Sequence, residues 1–372
     1  MTVTDRRSRV IVWGVGALGQ ATIEAILDGA PDLRLVGVRV YSEDKNGVDV
    51  GTLVGREPVG VRATTSVDDI LATVADCVIY MPRTPSIDDV LALLAGGKNV
   101  ATPSFLFHPD RLDAADRDRL AEACRVGGAT VHGGGINPGN LSGVLPLALS
   151  GMTRRIEKVT IQERGDWSFY ESTNITFDQQ GFGGPIESVS PTANAGVKLT
   201  SDLFENQVWM TADALGADID EVVVSVEAVP AKADHEIFGR IVTAGSTAGQ
   251  RWKWQGRRAG ETRVEIEALW TVGHEYPAHW PTPQDGWTIT IEGNPSMQVH
   301  FISLASFVRN ATMAEHVAAA NVAAAMQVLN AVPAVIAAAP GFATMATLPL
   351  VRNPRAFGAA DDTKTAEGAK TA

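Results

Sequence analysis

Residues Arg9–Leu27 read RVIVWGVGALGQATIEAIL. Val10, Ile11, Val12 and Trp13 form an unbroken apolar run, the pattern of a strand buried on both faces. Gly14, Gly16 and Gly19 follow in the spacing G-x-G-x-x-G, and a helical pattern starts near Ala17. In this context each glycine has its own reason. Gly14 permits a tight turn, Gly16 lets backbone approach a pyrophosphate, and Gly19 lets the helix pack close to the strand. The helix start, with Ala17 and Leu18, aims unpaired N–H groups and about +0.5 of partial charge at a phosphate. Strand, glycine turn and helix in that order predict a dinucleotide-binding α/β domain.

Outward from this stretch the rhythm continues. Asp28-Gly29-Ala30-Pro31 stops the helix, and Leu33–Val40 is a second apolar strand. An early acid at the tip of that strand selects NAD over NADP. Here the tip is Tyr41-Ser42, and Glu43, Asp44 and Lys45 come later. Ser42 and Lys45 suit a 2′-phosphate, so the expected cofactor is NADP(H), with NAD(H) as the alternative. Val67–Thr73 reads as a helix and Asp76–Met81 as a buried strand. The latter runs into Met81-Pro82-Arg83 at the strand end where ligands bind in doubly wound sheets. Ser86–Ala95 (helix), Asn99–Thr102 (strand), Leu112–Arg125 (helix) and Ala129–Val131 (strand) complete a parallel α/β pattern.

The second half has another texture. Glu157–Glu163, Glu221–Val229, Ile237–Ala244, Gln250–Arg257, Thr262–Val272, Trp287–Glu292 and Met297–Leu304 read as strands, several with alternating polarity. Leu199–Leu215 and Thr312–Ala339 read as helices. The expected fold is α/β: an N-terminal Rossmann-type doubly wound parallel sheet, then a second α+β domain on an open, mainly antiparallel sheet. The boundaries expected are 1–150 for the dinucleotide domain and 151–310 for the substrate and dimerisation domain. A helical segment at 311–357 packs back on the first domain, and 358–372 is a disordered tail.

The chain has 372 residues, 45% of them hydrophobic, and a net charge of −12. That charge argues against nucleic acid or an anionic membrane as partner. The two cysteines, Cys77 and Cys124, read as reduced structural thiols of a cytoplasmic protein. No residue cluster suggests a metal. Val317–Ala339 is apolar but is interrupted by Asn321, Gln327, Asn330 and Pro333, which favours a buried helix over a membrane span.

Several stretches carry a resemblance to the dihydrodipicolinate reductase-like superfamily, in the actinobacterial branch related to 2,4-diaminopentanoate dehydrogenase and the native amine dehydrogenases. They are VIVWGVGALGQ (10–20), VGVRVYSEDKNGVDVGTLVG (36–55), GKNVATPSFLFHP (97–109), GGGINPGNLSGVLPLALSG (133–151) and NAVPAVIAAAPG (330–341). The resemblance implies hydride transfer between the nicotinamide C4 and a carbon bonded to nitrogen in a small-molecule substrate. It places Met81, Pro82 and Arg83 along the nicotinamide ribose, Thr102, Pro103 and Ser104 near the ring, and Asn137 in the hinge and floor of the site. It also implies a homodimer.

Two departures bear on chemistry. The paired histidines and lysine of the true reductases are replaced by Gln162–Tyr170, QERGDWSFY. The catalytic Glu of the amine dehydrogenases, in the loop after the strand ending at Thr102, is replaced by Ser104 and Phe105. A proton-handling group must therefore come from elsewhere. On the strand that enters the site in the relatives, Glu163 is the first candidate and Asp166 the second. Ser104 is expected to hydrogen-bond cofactor or substrate. Tyr170, Glu171 and His132 are further candidates, and Trp167, Phe169, Phe177 and Phe182 are candidate pocket walls. Carbonyl or alcohol chemistry on the same scaffold, and a catalytically silent nucleotide-binding sensor, remain open alternatives.

Overall fold

The computed structural model describes residues 7–170, 172–273, 277–282 and 284–357. The expected tail and candidate Glu171 lie outside them. The first part runs β1 (Ser8–Trp13), α1 (Ala17–Gly29), β2 (Leu33–Arg39), α2 (Val50–Leu53), β3 (Ala63–Thr64) and α3 (Val67–Ala72). It continues with β4 (Cys77–Tyr80), α4 (Ile87–Ala95), β5 (Asn99–Thr102), α5 (Ala114–Gly127) and β6 (Thr130–Gly133). The second part runs α6 (Leu145–Ser150), β7 (Arg155–Asp166), α7 (Ala195–Leu215), β8 (Glu221–Pro230), β9 (His235–Ile237) and β10 (Arg240–Val242). It ends with β11 (Thr247–Arg258), β12 (Glu261–Thr271), β13 (Gly286–Asn294), β14 (Met297–Phe301), α8 (Met313–Ala337) and β15 (Gly341–Ala343).

Among the described residues the first sheet has seven parallel strands in the order β15-β6-β5-β4-β1-β2-β3. β1 sits inside it and feeds two cores by alternation. Val10 and Val12 face Ile23 of α1 and Val328 and Val332 of α8. Ile11 and Trp13 face Val90, Leu93 and Leu120 of α4 and α5. All four strand residues are essentially inaccessible, and each fully buried aliphatic side chain contributes about 1.5–3 kcal/mol of hydrophobic stabilisation. Helices on both faces make the doubly wound arrangement.

α8 begins at a capping box, where Thr312 Oγ1 accepts from Glu315 N and Glu315 Oε2 accepts from Thr312 N. By length and composition it is apolar enough to cross a bilayer. Its Val328, Leu329, Val332 and Val335 are instead buried in the core shared with α1. Pro333 stands inside the helix, which continues to Ala337. The chain then adds β15 beside β6, with His132 Nδ1 donating to Ala343 O at 2.7 Å.

The second sheet has the order β14-β13-β7-β12-β11-β8. Only the β7–β12 pairing is parallel. Its inner face packs on α7, where Phe204 stacks on Trp254 with ring centroids 4.6 Å apart. Its outer face is a polar ladder of Arg251, Lys253, Glu265, Glu267 and Gln162. Two expectations from pattern alone change. Ile237–Ala244 is a hairpin of β9 and β10, because Phe238 and Gly239 both take positive φ (45° and 81°) and reverse the chain. The helix expected from Leu199 starts at Ala195, because Asn194 caps it by accepting from Gly196 N at 2.8 Å.

Candidate active site

The glycine turn after β1 has the geometry a dinucleotide requires. Gly14 has φ +100°, and a Cβ there would come within 2.8 Å of Met81 O. Gly19 packs still more tightly against the turn. Gly16 differs: it is the N-cap of α1, no side chain caps the helix there, and an added Cβ would meet nothing within 4 Å. An uncapped N-terminus of a 13-residue helix therefore faces open space beside Ala17 and Leu18. This cradle fits a pyrophosphate.

At the adenosine end, the strand tip combines Tyr41, Ser42 and Lys45 with a residue the sequence reading passed over. Tyr41 is 58% exposed, and its hydroxyl accepts from Trp13 Nε1 at 3.0 Å. The Arg39 guanidinium lies 4.9 Å from the Tyr41 ring centre, and its Nε and Nη1 are buried without a hydrogen-bond partner. Ser42 opens the turn Glu43–Lys45 and its side chain caps nothing.

The loops after β4 and β5 meet. Ser104 Oγ donates to Pro82 O at 3.0 Å, and Ser104 N donates to Thr102 Oγ1 at 3.1 Å. Ser104 thus ties together the segments holding Met81, Pro82 and Pro103. Arg83 reaches the second domain: with the Asn174 amide turned so that its oxygen faces the guanidinium, that oxygen accepts from Arg83 Nη1 at 2.8 Å and the amide nitrogen donates to Asp178 Oδ2 at 3.3 Å. A further bridge between the halves joins His108 Nε2 to Asp213 Oδ2 at 2.8 Å.

Glu163 stands where alternation along β7 calls for an apolar residue, on the inner face with Val159 and Ile161. Its register partners are Ala268 on β12 and Trp287 on β13. Glu163 Oε1 accepts from Trp270 Nε1 at 2.9 Å, and Oε2 accepts from Trp287 Nε1 at 3.0 Å. Asn137 Nδ2, in the segment leaving β6, also donates to Oε2. Burial pushes this carboxyl above the ordinary carboxylate range, and the three donors pull in the opposite direction. The Asn137 amide oxygen is itself buried without a partner.

The other candidates are placed differently. Asp166 Oδ1 caps the turn Trp167–Phe169 by accepting from Ser168 N at 2.9 Å. His132 is buried and held below the ordinary histidine range by that burial. The Tyr170 ring packs on Trp167 at 4.9 Å, and Trp167 meets Trp270 edge-on at 5.6 Å. Phe182 is core, Phe177 carries the Arg240 guanidinium 4.0 Å above its ring, and Phe169 is partly exposed. Among the described residues no group of His, Cys, Asp or Glu is arranged to hold a metal. Sequence reading missed Trp270, Trp287 and Arg39. The available signal for the first two was an acid at an inward register position, which demands donors around it.

Residues 142–364 match the family model of the 2,4-diaminopentanoate dehydrogenase C-terminal domain, and residues 8–100 match that of the dihydrodipicolinate reductase N-terminus. An amine dehydrogenase of Streptomyces virginiae is 28% identical over 303 residues, covering 78% of this chain and 83% of that protein. A 2,4-diaminopentanoate dehydrogenase of Acetoanaerobium sticklandii is 24% identical, covering 92% and 94%. The solved amine dehydrogenase from Mycobacterium smegmatis superposes with a TM-score of 0.73 at 20% identity, covering 93% and 97%, and shares the fold.

Proposed function

The chain belongs to the 2,4-diaminopentanoate dehydrogenase C-terminal domain family of NAD(P)-dependent oxidoreductases, and from that premise we propose that it acts on the C=N or C–N carbon of a small to medium apolar imine or amine. The observation that carries the reading is Glu163, an acid on the inner, apolar face of β7 and hydrogen-bonded to the hinge residue Asn137.

A bound nicotinamide supplies or accepts the hydride at C4. The chain's own residues do the rest. Gly16 and the start of α1 would hold the phosphates, with Gly14 and Gly19 shaping the turn, while Met81, Pro82 and Arg83 would lie along the ribose, Thr102 and Pro103 near the ring, and Asn137 at the floor of the site. Glu163 takes or gives the proton at a carboxylate oxygen as the substrate nitrogen changes its protonation. Asp166, at the end of the same strand, is the second candidate. Ser104 fixes the loops that hold the ring. Trp167, Tyr170, Trp270 and Trp287 exclude water around the reacting nitrogen.

Three finer features belong to the same reading. The cofactor is NADPH in preference to NADH, supported by Ser42, Lys45 and the Arg39 guanidinium at the strand tip. The protein is a homodimer across the outer face of the second sheet. It works in the cytoplasm, supported by two buried free thiols, Cys77 and Cys124, which burial pushes up to about 12 and about 11.

The test is turnover of a panel of amines, imines and carbonyls with either cofactor, for wild type, Glu163→Gln and Asp166→Asn. Glu163→Gln is expected to lower kcat on the imine or amine by about a hundredfold or more with little change in cofactor affinity. Full kcat in both variants removes the carboxylates from the mechanism. Activity on carbonyls alone replaces the C–N reading.

A further inference from the structure

We propose that Trp270 and Trp287 are positioning residues that, with Asn137, hold the Glu163 carboxylate as an ionised acceptor for a protonated substrate nitrogen. The inference rests on Glu163 being the group that meets that nitrogen.

The geometry is one-sided. Among the described residues every side chain bonded to Glu163 is a donor: an indole N–H on Oε1, and an indole N–H and an amide N–H on Oε2. Indole nitrogen is a donor only. A neutral carboxylic acid here would present its own O–H to a ring of donors, and none of these three side chains directs an acceptor at it. The ionised form satisfies all three donors. The donors come from three separate segments, β12, β13 and the stretch after β6, so the carboxylate orientation is fixed from both neighbouring strands and from the hinge.

Among the described residues no other charge bears on its state: burial raises this carboxyl, and only the three donors oppose that shift. On its own strand, Arg164 pairs with Asp285 and Gln162 with Glu267, both across the polar outer face. On the packed elements, the inward neighbours are Ile266 and Ala268 of β12 and Ile289 and Ile291 of β13. Asp166 caps its own turn, and Tyr170 is held up by burial. A fixed carboxylate with aromatic walls recognises a cation better than a neutral isostere of the same shape.

Two measurements test this with NADP⁺ present. First, the indole ¹⁵N–¹H resonances are followed against pH. Of the eight tryptophans, the signals of Trp270 and Trp287, assigned by their loss in Trp270→Phe and Trp287→Phe, are expected to titrate together in wild type. They are expected to stay still in Glu163→Gln. Second, Kd is measured for cyclohexylammonium and for cyclohexanol. Trp287→Phe and Trp270→Phe are each expected to weaken the cation at least tenfold, to leave cyclohexanol within twofold, and to move the acid limb of cation binding to higher pH. Equal weakening of both probes, or wild-type indole signals that ignore the Glu163 titration, overturns the proposal. Where a Phe variant fails to fold, the pair is identified instead as the two indole signals whose titration is lost in Glu163→Gln. The titration is also independent of turnover: titrating indoles with full kcat in Glu163→Gln would keep the clamp and remove the catalytic assignment.

Discussion

A Cβ on Gly19 would stand 2.0 Å from the carbonyl oxygen of Gly14. The first turn of α1 therefore rests on the strand-to-helix turn itself, while Gly16, between them in sequence, opens on free space. Two glycines of one motif thus serve separate ends, one packing and one binding. Gly19→Ala is expected to destabilise the fold by about 1–3 kcal/mol through overpacking against backbone. Gly16→Val is expected to melt within about 0.5 kcal/mol of wild type and to lose NADPH affinity at least tenfold, by fluorescence titration. Wild-type affinity in a folded Gly16→Val protein removes this loop from the phosphate site.

Cofactor choice is expected to follow the tip of β2. Arg39 has two buried N–H groups without partners, and Ser42 has a side chain free of any cap. Placing an acid at position 42 sets a negative charge against a 2′-phosphate and offers an acceptor to a ribose 2′-hydroxyl. Wild type should bind NADPH tighter than NADH, and Ser42→Asp should shift the ratio of the two Kd values by tenfold or more toward NADH, about 1.4 kcal/mol. A wild type that prefers NADH, with that preference lost in Glu43→Ala or Asp44→Ala, would move the ribose contact one or two residues along the chain.

The segment after β15 is anchored by Arg355, which makes a bidentate pair with Asp32 and reaches Asn330 Oδ1 at 3.0 Å. The guanidinium holds the Asp32 carboxyl below the ordinary range. A depressed carboxylate stabilises above its unfolded value, near 3.8, and the gain is lost as pH falls through the folded value. Arg355→Ala should therefore cost about 1 kcal/mol at neutral pH, solvent screening of the half-exposed Asp32 included. The difference in Tm from wild type should shrink as pH falls below 4. A difference that is flat with pH would assign the loss to packing alone.

Most of the first domain was legible because its signals are local. A four-residue apolar run, a glycine spacing and a helix stop each lie within a few residues, and their order dictates a parallel sheet. What escaped is non-local. The indole donors to Glu163 lie 107 and 124 residues from it in sequence, so the strand pattern places the acid and says nothing of the indoles that meet it. β15 is three residues long and exists because β6 offers an unpaired edge. The Phe238–Gly239 turn lacks the Asn-Gly or Asp-Gly signature of a two-residue hairpin, so β9 and β10 read as one strand.

The association of subunits is expected to use the outer face of the second sheet. α7 packs on the inner face. The outer face is not apolar. Glu267 is 3% exposed, takes Arg251 Nε at 2.8 Å and Gln162 Nε2 at 2.7 Å, and lies 3.6 Å from Lys253 Nζ. Glu265 accepts from Gln255 at 2.6 Å and pairs with Lys158 at 3.3 Å. A second copy meeting such a surface would form a wet, charge-matched interface rather than a greasy one, and its strength would fall with salt. Light scattering at micromolar protein should give twice the 39.3 kDa chain mass at low salt. Arg251→Glu places a third carboxylate beside Glu267 and Glu227 and should shift the species toward the monomer, while Arg117→Glu on α5 of the first domain should not. A monomer mass in wild type, or a dimer indifferent to Arg251→Glu, places the subunit contact elsewhere or removes it.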